Sequence, residues 1–186
     1  MFTFTDYENF MEALATDYKP IGHSSENKKF ASMDIEDILA AMRGEIEFNS
    51  PVMILENYEG TVNYKHDGLL DRKYGAFHIL QHVTRNDPAQ KRAVIDSTFI
   101  IGMKIISKIQ LLRKNRLGGN LSLPRFLTYF NFDDVKYNKI SNVFDGCHGW
   151  RFEFGFGQED PLPYDADEWF SNDPDGLPLK LPAELI

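Results

Sequence analysis

The chain has 186 residues, enough for one domain of ordinary size, and its 42% hydrophobic and 13% aromatic content is enough to build a core. The net charge of −8 is uneven: Gln158 to Ile186 holds eight acids and one base, Lys180, so that stretch carries −7 and the body only −1. A single cysteine, Cys147, excludes an intramolecular disulfide and fits a reducing compartment, the start shows no basic-then-apolar leader, and Asp96, Lys104 and Lys108 interrupt the most apolar window, which argues against a membrane span. A protein made in the cytoplasm is expected.

In chain order, Thr5 or Asp6 is placed to cap a first helix with Tyr7, Phe10, Met11 and Leu14 on one stripe, ending before Pro20. Residues 20–31 are polar and predict a loop. Ser32 is placed to cap a second short helix carrying Ile35, Ile38, Leu39 and Met42, stopped by Gly44. After Pro51 the period changes to that of strands: Val52–Leu55 is an apolar run, and Thr61–Lys65 alternates. The 67–73 stretch is a polar excursion, and Tyr74–Val83 predicts a third strand.

Asp87-Pro88-Ala89-Gln90 combines a capping carboxylate, a proline that needs no donor at the first helical position, and a glutamine three residues after the cap. Apolar residues then recur every three to four positions to Leu112, predicting one helix roughly 40 Å long at about 1.5 Å per residue. Arg113, Lys114 and Arg116 suit its C-terminal dipole, and Gly118-Gly119 ends it. Phe126, Thr128, Phe130 and Phe132 alternate as in a strand, and Val135–Val143 predicts another. In the closing run Trp150, Phe152, Phe154 and Phe156 share one face, with Arg151 and Glu153 on the other.

This order predicts an α+β domain over residues 1–157: a mostly antiparallel sheet of five or six strands on one long helix, with two short N-terminal helices. A crossover through the long helix would allow one parallel pair. Residues 158–186 hold five of the nine prolines and predict an extended acidic arm, yet Tyr164, Trp169 and Phe170 give it apolar anchors for its own body or a neighbour.

Candidate chemistry is sparse. His78 and His82 are i and i+4, but on a strand they stand roughly 13 Å apart, too far to share a metal ion. Cys147-His148 lacks a third member for nucleophilic catalysis. Asp133, Asp134 and Asp145 lack calcium-loop spacing, and Gly118-Gly119-Asn120 lacks the Lys-Ser or Lys-Thr of a phosphate loop. The basic run Lys104, Lys108, Arg113, Lys114, Arg116 is either the solvated outer face of the helix or a surface for nucleic acid or an acidic partner, including the acidic arm of another subunit.

The layout of Val52–Leu55, Tyr74–Val83, Asp87–Leu112 and Gly149–Phe156 resembles the tail terminator and tail-completion (neck) proteins of tailed bacteriophages and related contractile systems. The resemblance implies a structural virion protein, made in the host cytoplasm and not an enzyme. It would form a ring, usually a hexamer, that caps a tail tube and docks to neck or connector proteins. DNA would pass through as an unread polymer, and no cofactor, metal or membrane is implied. Its sites would be interfaces: the 56–73 hairpin with Lys65, Arg72 and Lys73; the helix end with Arg113, Lys114 and Arg116; the Gly118–Pro124 loop with Leu121; and the arm with Tyr164, Trp169 and Phe170. The alternatives are a small cytoplasmic binding or adaptor protein with a groove between sheet and helices, and a metal-dependent nuclease using Asp133, Asp134, Asp145 and His148.

Overall fold

The fold is taken from a computed structural model, which describes residues 3–32, 46–65, 68–144 and 146–159. Helix α1 spans Phe4–Asp17. Short strand β1 (Phe30–Ser32) and then β2 (Val52–Leu55), β3 (Glu59–Lys65) and β4 (Gly68–His82) follow. Helix α2 is Pro88–Leu117, a 3-10 turn covers Arg125–Tyr129, and β5 (Asn131–Val143) and β6 (Cys147–Glu159) close the described chain. The predicted second helix lies outside the described residues.

The six strands form one sheet in the order β1-β2-β4-β6-β5, with β3 also on β4. β4 is the hub. Its first half pairs with β3, its second half with β2, and its other side with β6 along thirteen residues, from Leu70↔Glu159 to His82↔Cys147. The architecture is therefore the α+β sheet-on-helix arrangement that the periodicities predict. The parallel pair is elsewhere than expected. β4 and β5 both run antiparallel to β6, so the crossover through α2 leaves β6 between them, and the parallel contact is β1 with β2.

Both helix starts follow their capping chemistry. Thr3, rather than Thr5 or Asp6, caps α1: its hydroxyl accepts from the Asp6 N–H at 3.2 Å, and the Asp6 carboxylate accepts from the Thr3 N–H at 2.9 Å, closing a capping box. Asp87 accepts from the Gln90 N–H at 2.9 Å, while the Gln90 side chain reaches back further than a capping box requires, to the Thr84 N–H at 2.6 Å. At 30 residues α2 is about 45 Å long. The chain turns away through Gly119, whose φ of +104° lies where L side chains are disfavoured.

Alternation along the strands divides the sheet into two faces. Met53, Leu55, Phe77, Ile79, Phe152, Phe154 and Phe156 form the core face, against Tyr7, Met11 and Leu14 of α1 and Ile101, Ile105, Ile106 and Ile109 of α2. Its aromatics interlock: Phe77 stacks on Phe152 (centroids 5.2 Å apart), Phe130 on Phe154 (5.1 Å) and Tyr7 on Phe156 (5.4 Å). Each fully buried Phe contributes about 2–3 kcal/mol by area alone. Trp150 anchors the helix to the sheet by donating its indole N–H to the Ile95 carbonyl at 2.9 Å. Gly102 allows the closest approach: a methyl group there would fall inside the ring of Phe152.

Three stretches differ from the sequence reading. Phe126–Phe132 is not one strand: Arg125–Tyr129 coils into a 3-10 turn, burying Phe126 and Leu127, and β5 starts only at Asn131. Asp133-Asp134 does not separate two strands, because a bulge between Asn131 and Lys136 absorbs both within β5. The polar 67–73 excursion and the 20–31 loop both contain strand: β4 begins at Gly68, and β1 starts at Phe30.

Candidate functional site

The sheet face opposite the helices carries a charged network. β4 presents His78 there, directly across from Arg151 of β6, and Glu56 follows β2 at the neighbouring position. Arg151 donates to Glu56 through two parallel bonds, Nε to Oε1 and Nη2 to Oε2, both 2.7 Å. His78 Nε2 also bonds Glu56 Oε1, and Glu153 takes the remaining side of the guanidinium. The network is withdrawn from water: His78 is 8% exposed, and the Glu56 and Arg151 side chains are 15% and 31% exposed. Burial pushes the Glu56 carboxyl up, but the hydrogen bonds from Arg151 and His78 and their charges outweigh it and hold the pKa at about 2. Arg151 is raised in turn, first by its bonds to Glu56. A cleft of about 230 Å³ opens beside the network, lined also by Tyr74, Asp134 and Lys136.

A second cavity, about 260 Å³, lies where β4, the 3-10 turn, β5, β6 and the end of α2 meet. It shares Tyr74 and Asp134 with the cleft, so the two adjoin. Three of the predicted interface residues meet here: Arg72, Lys73 and Arg113. Lys73 is buried, paired with Asp71, and sits over the Tyr58 ring. Arg113 lies over the Phe132 ring, and its buried Nε has no hydrogen-bond acceptor among the described residues. Asp134 receives a 2.5 Å bond from the Asn131 side-chain amide.

The other predicted interface positions are not gathered there. Lys114 and Arg116 occupy the last turn of α2, and Leu121 is exposed on the loop beyond it. Lys65 ends β3 opposite Gly68 at the hairpin tip. Tyr164, Trp169 and Phe170 lie outside the described residues. The outer side of α2 carries more than the basic run: Ile100, Met103, Leu111 and Leu117 are exposed between its lysines, so its apolar residues do not all face the sheet. Lys108 pairs with Asp17 of α1 at 3.0 Å.

The catalytic candidates separate. Cys147 is buried in a small cluster with Val52, Ile54 and Leu80 on the face opposite the helices. His148 points the other way, and its Nδ1 accepts the Asn142 N–H at 3.3 Å. Burial, then the nearby Lys91 and His82, lowers its pKa, which favours that neutral acceptor form. Asp133 is exposed, and Asp145 lies outside the described residues. Among the described residues, no three His, Cys, Asp or Glu side chains are placed to hold one metal ion.

Sequence reasoning missed Glu56, and it weighed His78 only as a metal partner of His82, not as a neighbour of Arg151. The available signal was the placement of Arg151 and Glu153 opposite the aromatic face, which requires a polar partner on the adjoining strands. No protein-family model matches the chain, and neither does any curated protein.

Proposed function

We propose that the chain is a structural assembly subunit, associating with copies of itself into a closed ring of the tail-terminator or head–tail-joining kind, which caps a tail tube and meets the neck. The observation that carries this reading is the placement of two sheet edges. β5, thirteen residues long, pairs only with β6 among the described residues, and β3 pairs only with β4. These strands lie on opposite sides of the same sheet. An edge offers a row of backbone donors and acceptors for another strand. A contact joining opposite edges is head-to-tail, and such contacts close into rings when the rotation fits. Val62 on β3 is 62% exposed and Tyr137 on β5 is 50% exposed, both large side chains left at those edges. The bulges and the lysines 136 and 139 on β5 disfavour indiscriminate pairing and so favour one matched partner. On this reading the partners are tube and neck proteins, DNA is at most a passing polymer, and no chemistry is performed.

Light scattering on the full-length protein tests the proposal. One discrete oligomer is expected, reduced to monomer by Val62→Asp, a substitution at an exposed position that the monomer's fold should tolerate. A wild-type monomer up to millimolar concentration would refute it.

A further inference from the structure

The cavity of Arg72, Lys73 and Arg113 is unbalanced in charge. Lys73 is neutralised by Asp71. Arg72 and Arg113 form no ion pair among the described residues, and Asp134, the one acid among the described lining residues, is also held by Asn131. A half-buried guanidinium with a buried, unbonded N–H is a costly arrangement unless an acceptor reaches it. The floor of the cavity is aromatic, with Tyr129, Phe130 and Phe156. The chemistry it fits is a carboxylate next to an aromatic side chain.

The chain itself supplies that chemistry. Gly157 of β6 lines the cavity, and β6 ends two residues later at Glu159. Beyond it, the sequence of residues 160–186 holds seven carboxylates and one lysine, with Asp165, Asp167 and Glu168 set among Tyr164, Trp169 and Phe170. From Gly157 to Glu168, eleven residues at about 3.3 Å each give a reach of up to roughly 36 Å, ample for a return to the rim. A tether this short also keeps the local concentration of the acids in the millimolar range. We propose that the cavity is the docking site for this chain's own 160–186 segment, a carboxylate of Asp165, Asp167 or Glu168 seating between Arg72 and Arg113 and an aromatic neighbour resting on Tyr74 or Tyr129. The docking does not depend on the ring, because donor and acceptor belong to one chain.

Fluorine NMR of the full-length protein labelled with 5-fluorotryptophan tests this with two resonances, Trp150 and Trp169. Trp150 is half-buried and held against α2 by its bond to the Ile95 carbonyl, and it reports that the fold is intact. The expected result is a Trp169 resonance away from that of a free peptide of residues 160–175. It should move to the free-peptide position in Arg72→Glu/Arg113→Gln and in Asp165→Asn/Asp167→Asn/Glu168→Gln, with Trp150 unmoved. Raising salt on the unsubstituted protein should shift Trp169 the same way, which keeps the test open if a variant does not fold. The proposal is overturned if Trp169 of the native chain already resonates as the free peptide, or if neither the substitutions nor salt move it. A Trp169 shift that depends on protein concentration would assign the occupant to a second copy and overturn the own-chain assignment.

Discussion

Protonating Glu56 should destabilise the fold in a defined pH window. Its folded pKa of about 2 lies below the ordinary glutamate value of 4.5. A carboxyl depressed in the folded state contributes stability that is fully present above the unfolded pKa. Between pH 4.5 and 2 the unfolded chain takes up the proton and the native one does not, so stability falls as pH falls through that window. At 1.36 kcal/mol per pKa unit, the ceiling is about 3 kcal/mol. Arg151 is 31% exposed, so water screens part of the interaction, and about 1–2 kcal/mol is the expected size. Asp6 is also depressed, by its bonds to Thr3, so the wild-type curve alone would mix contributions.

The assay is therefore a comparison. Urea unfolding of wild type and Glu56→Gln is followed from pH 7 to pH 2.5, urea being preferred because it adds no screening ions. Wild type should be the more stable at pH 7, by about 1–2 kcal/mol, and the two curves should converge toward pH 2.5. Arg151→Met should remove most of the difference between them. Parallel curves across the whole range would show that the Glu56–His78–Arg151 contacts do not stabilise the native state, and the account of this face would fail.

Two further outcomes test the helix–sheet contact. Gly102→Ala gains about 1 kcal/mol of helix propensity but forces a methyl group into Phe152, which is pinned by Phe77 and Phe99; a net loss of about 1–2 kcal/mol in denaturant unfolding is expected, and a gain would show that the helix does not approach the sheet there. Ile105→Asp, at a position 2% exposed, should cost about 4 kcal/mol or more and leave little folded protein, whereas Ile100→Asp, 56% exposed, should change stability by no more than about 0.5 kcal/mol; equal effects on circular dichroism melts would mean the helix is rotated from its described facing.

What was legible in the sequence follows from how local each determinant is. The alternation from Trp150 to Phe156 announced a strand with one aromatic face because a strand's faces are written two residues apart. The start of α2 was legible because its cap is made within four residues. The 3-10 turn was misread because Phe126, Thr128, Phe130 and Phe132 imitate a strand's period, while Pro124 and the burial of Phe126 and Leu127 against the core favour a coil. The first half of β4 was missed because it is polar, and the partners that make it a strand, β3 and β6, are not visible from its own residues. The site was the least legible part. Arg72, Arg113 and Asn131 are brought together only by topology, and Glu56 meets Arg151 across 95 positions because of strand register.

The contrast between the two sheet faces also bears on how such a protein would associate. The helix-covered face is closed by aromatic packing. Had the other face been equally apolar, it would have offered a broad surface for stacking in many orientations. Near its middle, however, Glu56, His78, Arg151 and Glu153 satisfy one another, and the only buried apolar cluster described on that side is the small one of Val52, Ile54, Leu80 and Cys147. Covering that network with another subunit would remove its remaining contact with water and gain little, since its charges are already paired. On the ring reading, association is thereby steered away from the faces and toward the edges, where β3 and β5 each pair on one side only among the described residues. On the ring reading, the network's contribution is then exclusion: it makes face-to-face stacking unrewarding, so that edge-to-edge contact, which can close, is the route that remains.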